Sequence, residues 1–309
     1  MRFSCVDKTY GIYRIQRMDG KPLRLALFTD LHIDGRGMLS SAVTRHYLRG
    51  NIRALQPDLV ALLGDSALCR NNGRRTRGMV ELLDKSGVPW TAVLGNHEGE
   101  NDKTIQRRDV LECYGASSLF VGKTELPGVS GFGNQLIEVC NAVGKPVQLL
   151  YFMDSGGARS HSGIQADQIA WYKHTVRVME TLYGRVPSMI FMHIPVHGYQ
   201  AALDALQAGE ARLLRGECRE PVCLSGSKEQ SDALEAAARE YGSTWAFVCG
   251  HDHSNDFCIE HKGLQYIYAQ SGGYSARCYD CRSRGVRGST VFAFDGDGGV
   301  TVEQNRNKW

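Results

Sequence analysis

The segment Leu23-Arg24-Leu25-Ala26-Leu27-Phe28-Thr29-Asp30-Leu31-His32 joins a run of apolar residues directly to an acidic residue and a histidine. The run from Leu23 to Thr29 has the length and composition of a buried strand. Open α/β sheets carry their functional sites at the carboxyl ends of their strands. The segment therefore predicts a strand that delivers Asp30 and His32 to a site at the edge of a sheet.

The first half of the chain continues this pattern with alternating strands and helices. Apolar runs over 59–63 and 90–94 predict further strands, and periodic patterns over 39–55 and 77–85 predict helices between them. This βαβαβ order is typical of parallel strands covered by helices, and thus of the α/β fold class.

The second half predicts another sheet with its own helices. The expected strands are 135–140, 147–153, 188–192 and 245–249, and the expected helices are 164–183 and 227–241. Strands over 257–260, 264–270, 290–294 and 300–303 follow, and we expect residues 257–303 to complete the second sheet. Since no repeat or linker divides the chain, residues 1–309 are interpreted as one domain with its core motifs at 30–253.

Composition narrows the class of protein. The 309 residues are 42% hydrophobic and 22% charged, with a formal net charge of +3, which is ordinary for a globular protein and argues against a nucleic-acid partner. The longest apolar runs are strand-length, so no membrane segment is expected. The first 14 residues lack the apolar core of a signal peptide, which favours a cytoplasmic location. A secreted form whose leader has been removed stays open.

Ten cysteines leave their pairing open. Cys218 with Cys223 and Cys278 with Cys281 are close pairs, which could form two disulfides or together a structural zinc site. Free thiols in a reducing compartment are the simplest interpretation.

Five predicted strands end in residues that can bind a metal ion. Carboxylate, imidazole and amide groups suit divalent manganese, iron or zinc. Seven such residues are too many for one catalytic ion that keeps an open position, but they suit two ions that share a carboxylate. The residues are Asp30, His32, Asp65, Asn96, His193, His251 and His253.

These blocks, read in order as D-x-H, G-D, G-N-H-[DE], H and G-H-x-H, resemble the signature of the calcineurin-like metallophosphoesterase superfamily. The resemblance spans residues 30 to 253 and implies a four-layer αββα sandwich of two mixed sheets flanked by helices. It also implies two divalent metal ions, Mn, Fe, Zn or a mixed pair. One ion would be held by Asp30, His32, Asp65 and His253, and the other by Asp65, Asn96, His193 and His251.

A closer resemblance is to the yeast cell-cycle-regulator-like phosphatases and their plant purple-acid-phosphatase-like relatives. It rests on Tyr151-Phe152-Met153-Asp154-Ser155, on Gln168-Ile169-Ala170-Trp171, on His193-Ile194-Pro195 and on the segment from Gly250 to Asp256. The purple enzymes use a tyrosine ligand three positions after the shared aspartate, where this chain has Leu68. A pair of divalent ions is therefore expected rather than an iron–tyrosinate centre.

The resemblance implies hydrolysis of a phosphate monoester by a metal-bridging hydroxide, with His97 as the general acid. The substrate would be a phosphorylated small molecule or a phosphoprotein. His197, Asp154 and Arg287 are candidate substrate contacts, although His197 could be a solvated loop residue, and Arg287, with Arg277, Arg282 and Arg284, part of an ordinary charged loop. The alternatives are a phosphodiesterase acting on a cyclic nucleotide, nucleotide or nucleic acid, and a non-catalytic scaffold.

Overall fold

Two mixed β-sheets and six helices make up the part of the chain that the structure describes. The structure is a computed structural model that describes residues 1–33, 38–67, 72–100, 105–157, 163–274 and 287–307. Leu68, Cys278 and Cys281 lie outside these residues, as do three arginines of the predicted charged loop, Arg277, Arg282 and Arg284.

The elements follow one another in the order β1 (Arg2–Asp7), β2 (Ile12–Gln16), β3 (Leu23–Phe28), α1 (Met38–Leu55), β4 (Leu59–Leu63), α2 (Asn72–Asp84), β5 (Trp90–Val93), α3 (Arg107–Gly115), β6 (Gln135–Cys140) and β7 (Pro146–Phe152). They continue with α4 (Ala166–Tyr183), β8 (Ser188–Phe191), α5 (Gly198–Gln207), β9 (Arg212–Arg215), α6 (Lys228–Tyr241), β10 (Thr244–Cys249), β11 (Cys258–His261), β12 (Leu264–Tyr268), β13 (Gly288–Phe294) and β14 (Val300–Arg306).

The strand order brings five site-bearing strands into two parallel groups. The five-stranded sheet has the order β14-β13-β3-β4-β5, in which β3, β4 and β5 run parallel. The nine-stranded sheet has the order β1-β2-β6-β7-β8-β10-β12-β11-β9, in which β8 and β10 run parallel. Parallel neighbours end at the same edge of a sheet, so each group collects its strand-end residues in one place.

Three apolar clusters define four layers. One cluster packs α1, α2 and α3 on the five-stranded sheet, and another packs α4, α5 and α6 on the nine-stranded sheet. The third lies between the sheets and contains inward-facing residues of both, such as Leu27, Leu63, Phe191 and Phe292. The expected αββα sandwich of two mixed sheets flanked by helices is confirmed.

Part of the C-terminal segment departs from the expectation. Strands β11 and β12 join the nine-stranded sheet, but β13 and β14 pair with β3 in the five-stranded sheet, so residues 257–303 do not all complete the second sheet. The reason is burial, because six of the seven residues of β13 are buried and it closes the otherwise open edge of β3. Strands β1, β2 and β9 and helices α3 and α5 were not predicted.

Helices α1 to α6 are 9 to 18 residues long. Within the described ranges, none is both long enough and apolar enough to cross a membrane. Ser227 is the N-cap of α6, and Gly242, which follows the last helical residue, has the left-handed conformation that ends many helices.

Removing a ring from between the sheets should destabilise the fold. Phe292 is fully buried and its ring lies 5.6 Å from that of Phe191 in the facing sheet. We expect Phe292→Ala to lower the free energy of unfolding by about 3–5 kcal/mol, measured by urea denaturation. Val143→Ala is the control, since Val143 is 87% exposed and its loss should change little. A Phe292 variant as stable as the control would contradict the sandwich.

Candidate metal centre

The ends of five strands meet at the seam between the two sheets. Asp30 and His32 follow β3, Asp65 follows β4, and Asn96 and His97 follow β5. On the other sheet His193 follows β8, and His251 and His253 follow β10. All seven predicted ligand residues and His97 are brought together there.

Asp30, His32 and His253 form the first of two groups. Their potential ligand atoms lie within 4.8 Å of one another. The Nε2 atoms of His32 and His253 are 3.1 Å apart, and His253 Nε2 is 3.5 Å from Asp30 Oδ1.

Asp65, His193 and His251 form the second group, again within 4.8 Å. His193 Nε2 lies 3.2 Å from Asp65 Oδ2 and 3.2 Å from Asn96 Oδ1, so Asn96 adjoins this group. The Nδ1–H of His193 donates to the carbonyl oxygen of Leu63 at 2.7 Å. That bond fixes the tautomer and turns Nε2 towards the other side chains.

Asp65 faces both groups. Its Oδ2 lies 3.5 Å from His32 Nε2 in the first group and 3.2 Å from His193 Nε2 in the second. Its Oδ1 accepts the backbone N–H of His97 at 2.9 Å, which holds the carboxylate in this orientation. Asp65 therefore has the position of a ligand shared between two ions.

The donor atoms fit a metal site. Ions bound at about 2.0–2.2 Å place neighbouring nitrogen and oxygen ligands roughly 3–3.5 Å apart. The separations of 3.1 and 3.5 Å in the first group and 3.2 Å in the second match this spacing. His32 Nδ1 is buried without a hydrogen-bond partner among the described residues. Asp30, His32, Asp65 and His193 are buried, whereas Asn96, His97, His251 and His253 are half-buried and leave one side open to solvent.

Burial and mutual charge shift the pKa values of the carboxyl and imidazole groups in the cluster. Burial opposes ionisation of Asp30 and Asp65, but the charge of His193 and hydrogen bonds from histidine side chains together outweigh it, so the pKa of each carboxyl lies below its usual range. Burial also opposes charge on His193, but Asp65 and Asp30 raise its pKa to about 10. Burial and the charge of His193 lower the pKa of His251 to about 4. Such strongly shifted pKa values are common where titratable groups gather at a functional site.

The backbone is strained where the ligands stand. Asp30, His32, Asp65 and His251 have φ values of 53°, 42°, 52° and 80°, in the left-handed region that residues other than glycine rarely adopt. Such strain costs of order 1–3 kcal/mol per residue and persists only where the surrounding structure imposes it.

Glu98 holds the backbone of the loops that carry the cluster, a role that the sequence alone did not indicate. Its fully buried carboxylate accepts the backbone N–H groups of Asp65, Ser66 and Gly95 at 3.1, 2.6 and 2.8 Å. Burial and the nearby charge of Asp65 raise the pKa of Glu98 to about 7. One side chain therefore joins the ends of β4 and β5.

The candidate substrate contacts take different positions. His197 is the N-cap of α5, and its Nε2 is buried without a hydrogen-bond partner among the described residues. Arg287 is buried and donates to the carbonyl oxygen of His253 at 2.9 Å. Asp154 is buried, pairs with Arg107 and accepts from the backbone N–H of Phe132, which favours a structural role.

Arg107 is a second residue that sequence reasoning missed. It contacts both Asp154 and the carbonyl oxygen of Gly95, and so links the segment after β7 to the loop that carries Asn96. No pattern in the sequence connects the start of α3 with these loops.

Among the cysteines, Cys218 and Cys223 are free thiols, so this pair forms no disulfide.

Truncating Glu98 should destabilise the chain even without bound metal. Glu98→Ala leaves three buried N–H groups without an acceptor, each costing about 1–3 kcal/mol, so we expect a loss of at least about 3 kcal/mol in urea denaturation of metal-free protein. Glu125→Ala, at a half-exposed side chain, is the matched control. A loss no larger than that of the control would contradict this role.

Comparison with known proteins places the site in a family. Residues 23–255 match the calcineurin-like phosphoesterase family. The chain is 27% identical over 316 residues to a protein named probable inactive purple acid phosphatase 28 of Arabidopsis thaliana, covering 86% of this chain and 76% of that protein. It is 23% identical over 276 residues to phosphatase DCR2 of Saccharomyces cerevisiae, covering 81% of this chain and 47% of the yeast protein.

A solved structure supports the fold. The crystal structure of a dimetal phosphatase from Danio rerio superposes with a TM-score of 0.56 at 15% identity, over 91% of this chain and 98% of that one. The match over residues 23–255 includes every strand-end residue of the centre. The chain belongs to the calcineurin-like phosphoesterase family.

Proposed function

We propose that this metallophosphoesterase hydrolyses a phosphate monoester at a centre of two divalent metal ions. Asp30, His32, Asp65 and His253 would hold one ion, and Asp65, Asn96, His193 and His251 the other. The observation that carries the proposal is the position of Asp65, whose Oδ2 faces His32 at 3.5 Å and His193 at 3.2 Å. Both sheets supply ligands, which supports treating residues 1–309 as one domain.

Bound divalent ions would supply Lewis acidity towards the phosphoryl oxygens and lower the pKa of water towards neutrality. The oxygen and nitrogen donors suit Mn, Fe, Zn or a mixed pair. The chain itself contributes carboxylates held ionised by their imidazole neighbours and a His193 ring oriented by the Leu63 carbonyl. A preorganised site of this kind avoids reorganisation during the reaction.

His97 is the proposed general acid. As a water oxygen bonds to phosphorus, the ester P–O bond breaks and its electron pair passes to the leaving oxygen. The Nε2–H of His97 protonates that oxygen, which releases an alcohol and inorganic phosphate. The His97 side chain is 27% exposed and its Nε2 lies 3.9 Å from Asp65 Oδ2, which places it at the open side of the centre.

The substrate is proposed to be a phosphorylated small molecule or a phosphoprotein. Arg287 adds a positive charge beside His253, where an anionic phosphoryl group would bind. His197 offers a nitrogen whose hydrogen bonding no described residue satisfies, and is retained as a candidate contact. Asp154 is better placed to hold Arg107 than to contact an anion.

A non-catalytic role is the second candidate, because the plant relative is named as inactive. That word describes the relative. In this chain the complete set of seven donors converges, which favours the catalytic proposal.

Removing the shared carboxylate should remove both metal and activity. We expect the wild-type protein to bind two equivalents of manganese, zinc or iron(II), and Asp65→Ala at most one, by elemental analysis. Hydrolysis of 4-nitrophenyl phosphate should fall at least about 10³-fold, since metal-ion catalysis depends on the pair. Asp297→Ala, at an exposed turn, is the control. A wild type that loads metal without turnover would favour the scaffold.

The ester class can be tested directly. A monoester presents more negative charge to the cations than a diester, so we expect 4-nitrophenyl phosphate to exceed bis(4-nitrophenyl) phosphate in kcat/KM by at least about tenfold, or about 1.4 kcal/mol. Both assays use the same metal-loaded protein. The reverse preference would identify a phosphodiesterase.

A further inference from the structure

The turn from His97 to Glu100 gives its two acidic side chains different partners. The backbone N–H of Glu100 donates to the carbonyl oxygen of His97 at 3.2 Å. Gly99 has a φ of 79°, which glycine adopts freely at the third position of a turn. Glu98 accepts backbone N–H groups below the metal centre, whereas the carboxylate of Glu100 contacts the ring of His97.

The two ring nitrogens of His97 face different groups. Nδ1 is hydrogen-bonded to Glu100 Oε2, and Nε2 lies 3.9 Å from Asp65 Oδ2. The backbone N–H of His97 donates to Asp65 Oδ1, so the main chain is fixed as well. The side chains of His97 and Glu100 are 27% and 28% exposed, so the pair lies at the open side of the centre.

A carboxylate in this position selects one tautomer of the imidazole. An ionised carboxylate can only accept hydrogen bonds, so it requires hydrogen on Nδ1 and holds the ring plane towards itself. Nε2 is then the nitrogen presented to the centre, and a second proton on the ring can only be at that atom. Without Glu100 the ring could rotate and exchange tautomers, because its exposed edge has no other described acceptor at Nδ1.

We propose that Glu100 is the positioning residue of His97, and that it fits the site to esters whose leaving alcohol needs a proton. This inference rests on the proposed function. Alkyl and simple aryl phosphates, with leaving-group pKa values of about 10 or more, require general-acid help. Esters of strongly acidic phenols leave as anions and do not.

The experiment compares two esters in metal-loaded protein. In Glu100→Ala, kcat for phenyl phosphate should fall about 10²-fold, while kcat for 2,4-dinitrophenyl phosphate should fall less than about threefold. His97→Ala should show the same selectivity, and Glu100→Gln, which keeps an acceptor oxygen, should restore part of the phenyl phosphate activity. Glu112→Ala, at an exposed residue paired with Arg108, should leave both rates unchanged.

A second measurement does not depend on turnover. In metal-free protein, long-range ¹H–¹⁵N correlation of the His97 ring should report hydrogen on Nδ1 in the wild type and a mixture of tautomers in Glu100→Ala. After both proteins are loaded with metal, elemental analysis should find the same metal content in the wild type and in Glu100→Ala. That equality would separate positioning of His97 from damage to the ligands.

The outcomes are separable. Equal losses on both esters, or an unchanged tautomer in Glu100→Ala, would overturn the role of Glu100. No turnover of either ester by metal-loaded wild type would instead overturn the proposed function, whatever the tautomer.

Discussion

The carboxylate of Asp65 is the constraint on which the rest of the site depends. One oxygen accepts the backbone N–H of His97, and the other faces imidazole nitrogens from two different groups. Because the same side chain touches the loop after β5 and both candidate ion sites, any shift of β4 would disturb His97, the proposed general acid, and both sites together. Glu98 counters such a shift, since it binds the backbone at the ends of both β4 and β5.

This arrangement explains the glycines and the strain around it. A β-carbon on Gly64 would lie 2.5 Å from His193 Nδ1, and one on Gly95 would collide with Asp65 Oδ1. The ligand side chains can therefore converge only because these two positions are glycines without a side chain. The strained left-handed conformations of Asp30, His32, Asp65 and His251 are a further cost of bringing these side chains together. Packing between the sheets supplies the stability that offsets this strain.

The sequence predicted the strands that carry the site and the cluster at their ends, because both follow local rules. Buried parallel strands are nearly continuous apolar runs, as in Leu59–Leu63, and their last residues share an edge. The sheet joined by β13 depends instead on which edge is open after the chain has folded, and the exposed β1 has little apolar signal. Arg107 contacts Gly95, 12 residues away, and Glu100 contacts His97, three residues away. Both contacts depend on the path of a loop, which leaves no distinctive pattern in the sequence.

The candidate metal centre lowers the stability of the fold, which is relevant to whether the chain is a catalyst or a scaffold. Burying two ionised carboxylates and holding four residues in strained conformations lowers stability. A side chain such as Glu98, devoted to three backbone groups beneath the cluster, adds stability only by keeping that costly geometry intact. Functional sites are where proteins retain local arrangements that oppose folding. The strained and charged seam between the sheets therefore supports the proposed metal-dependent chemistry.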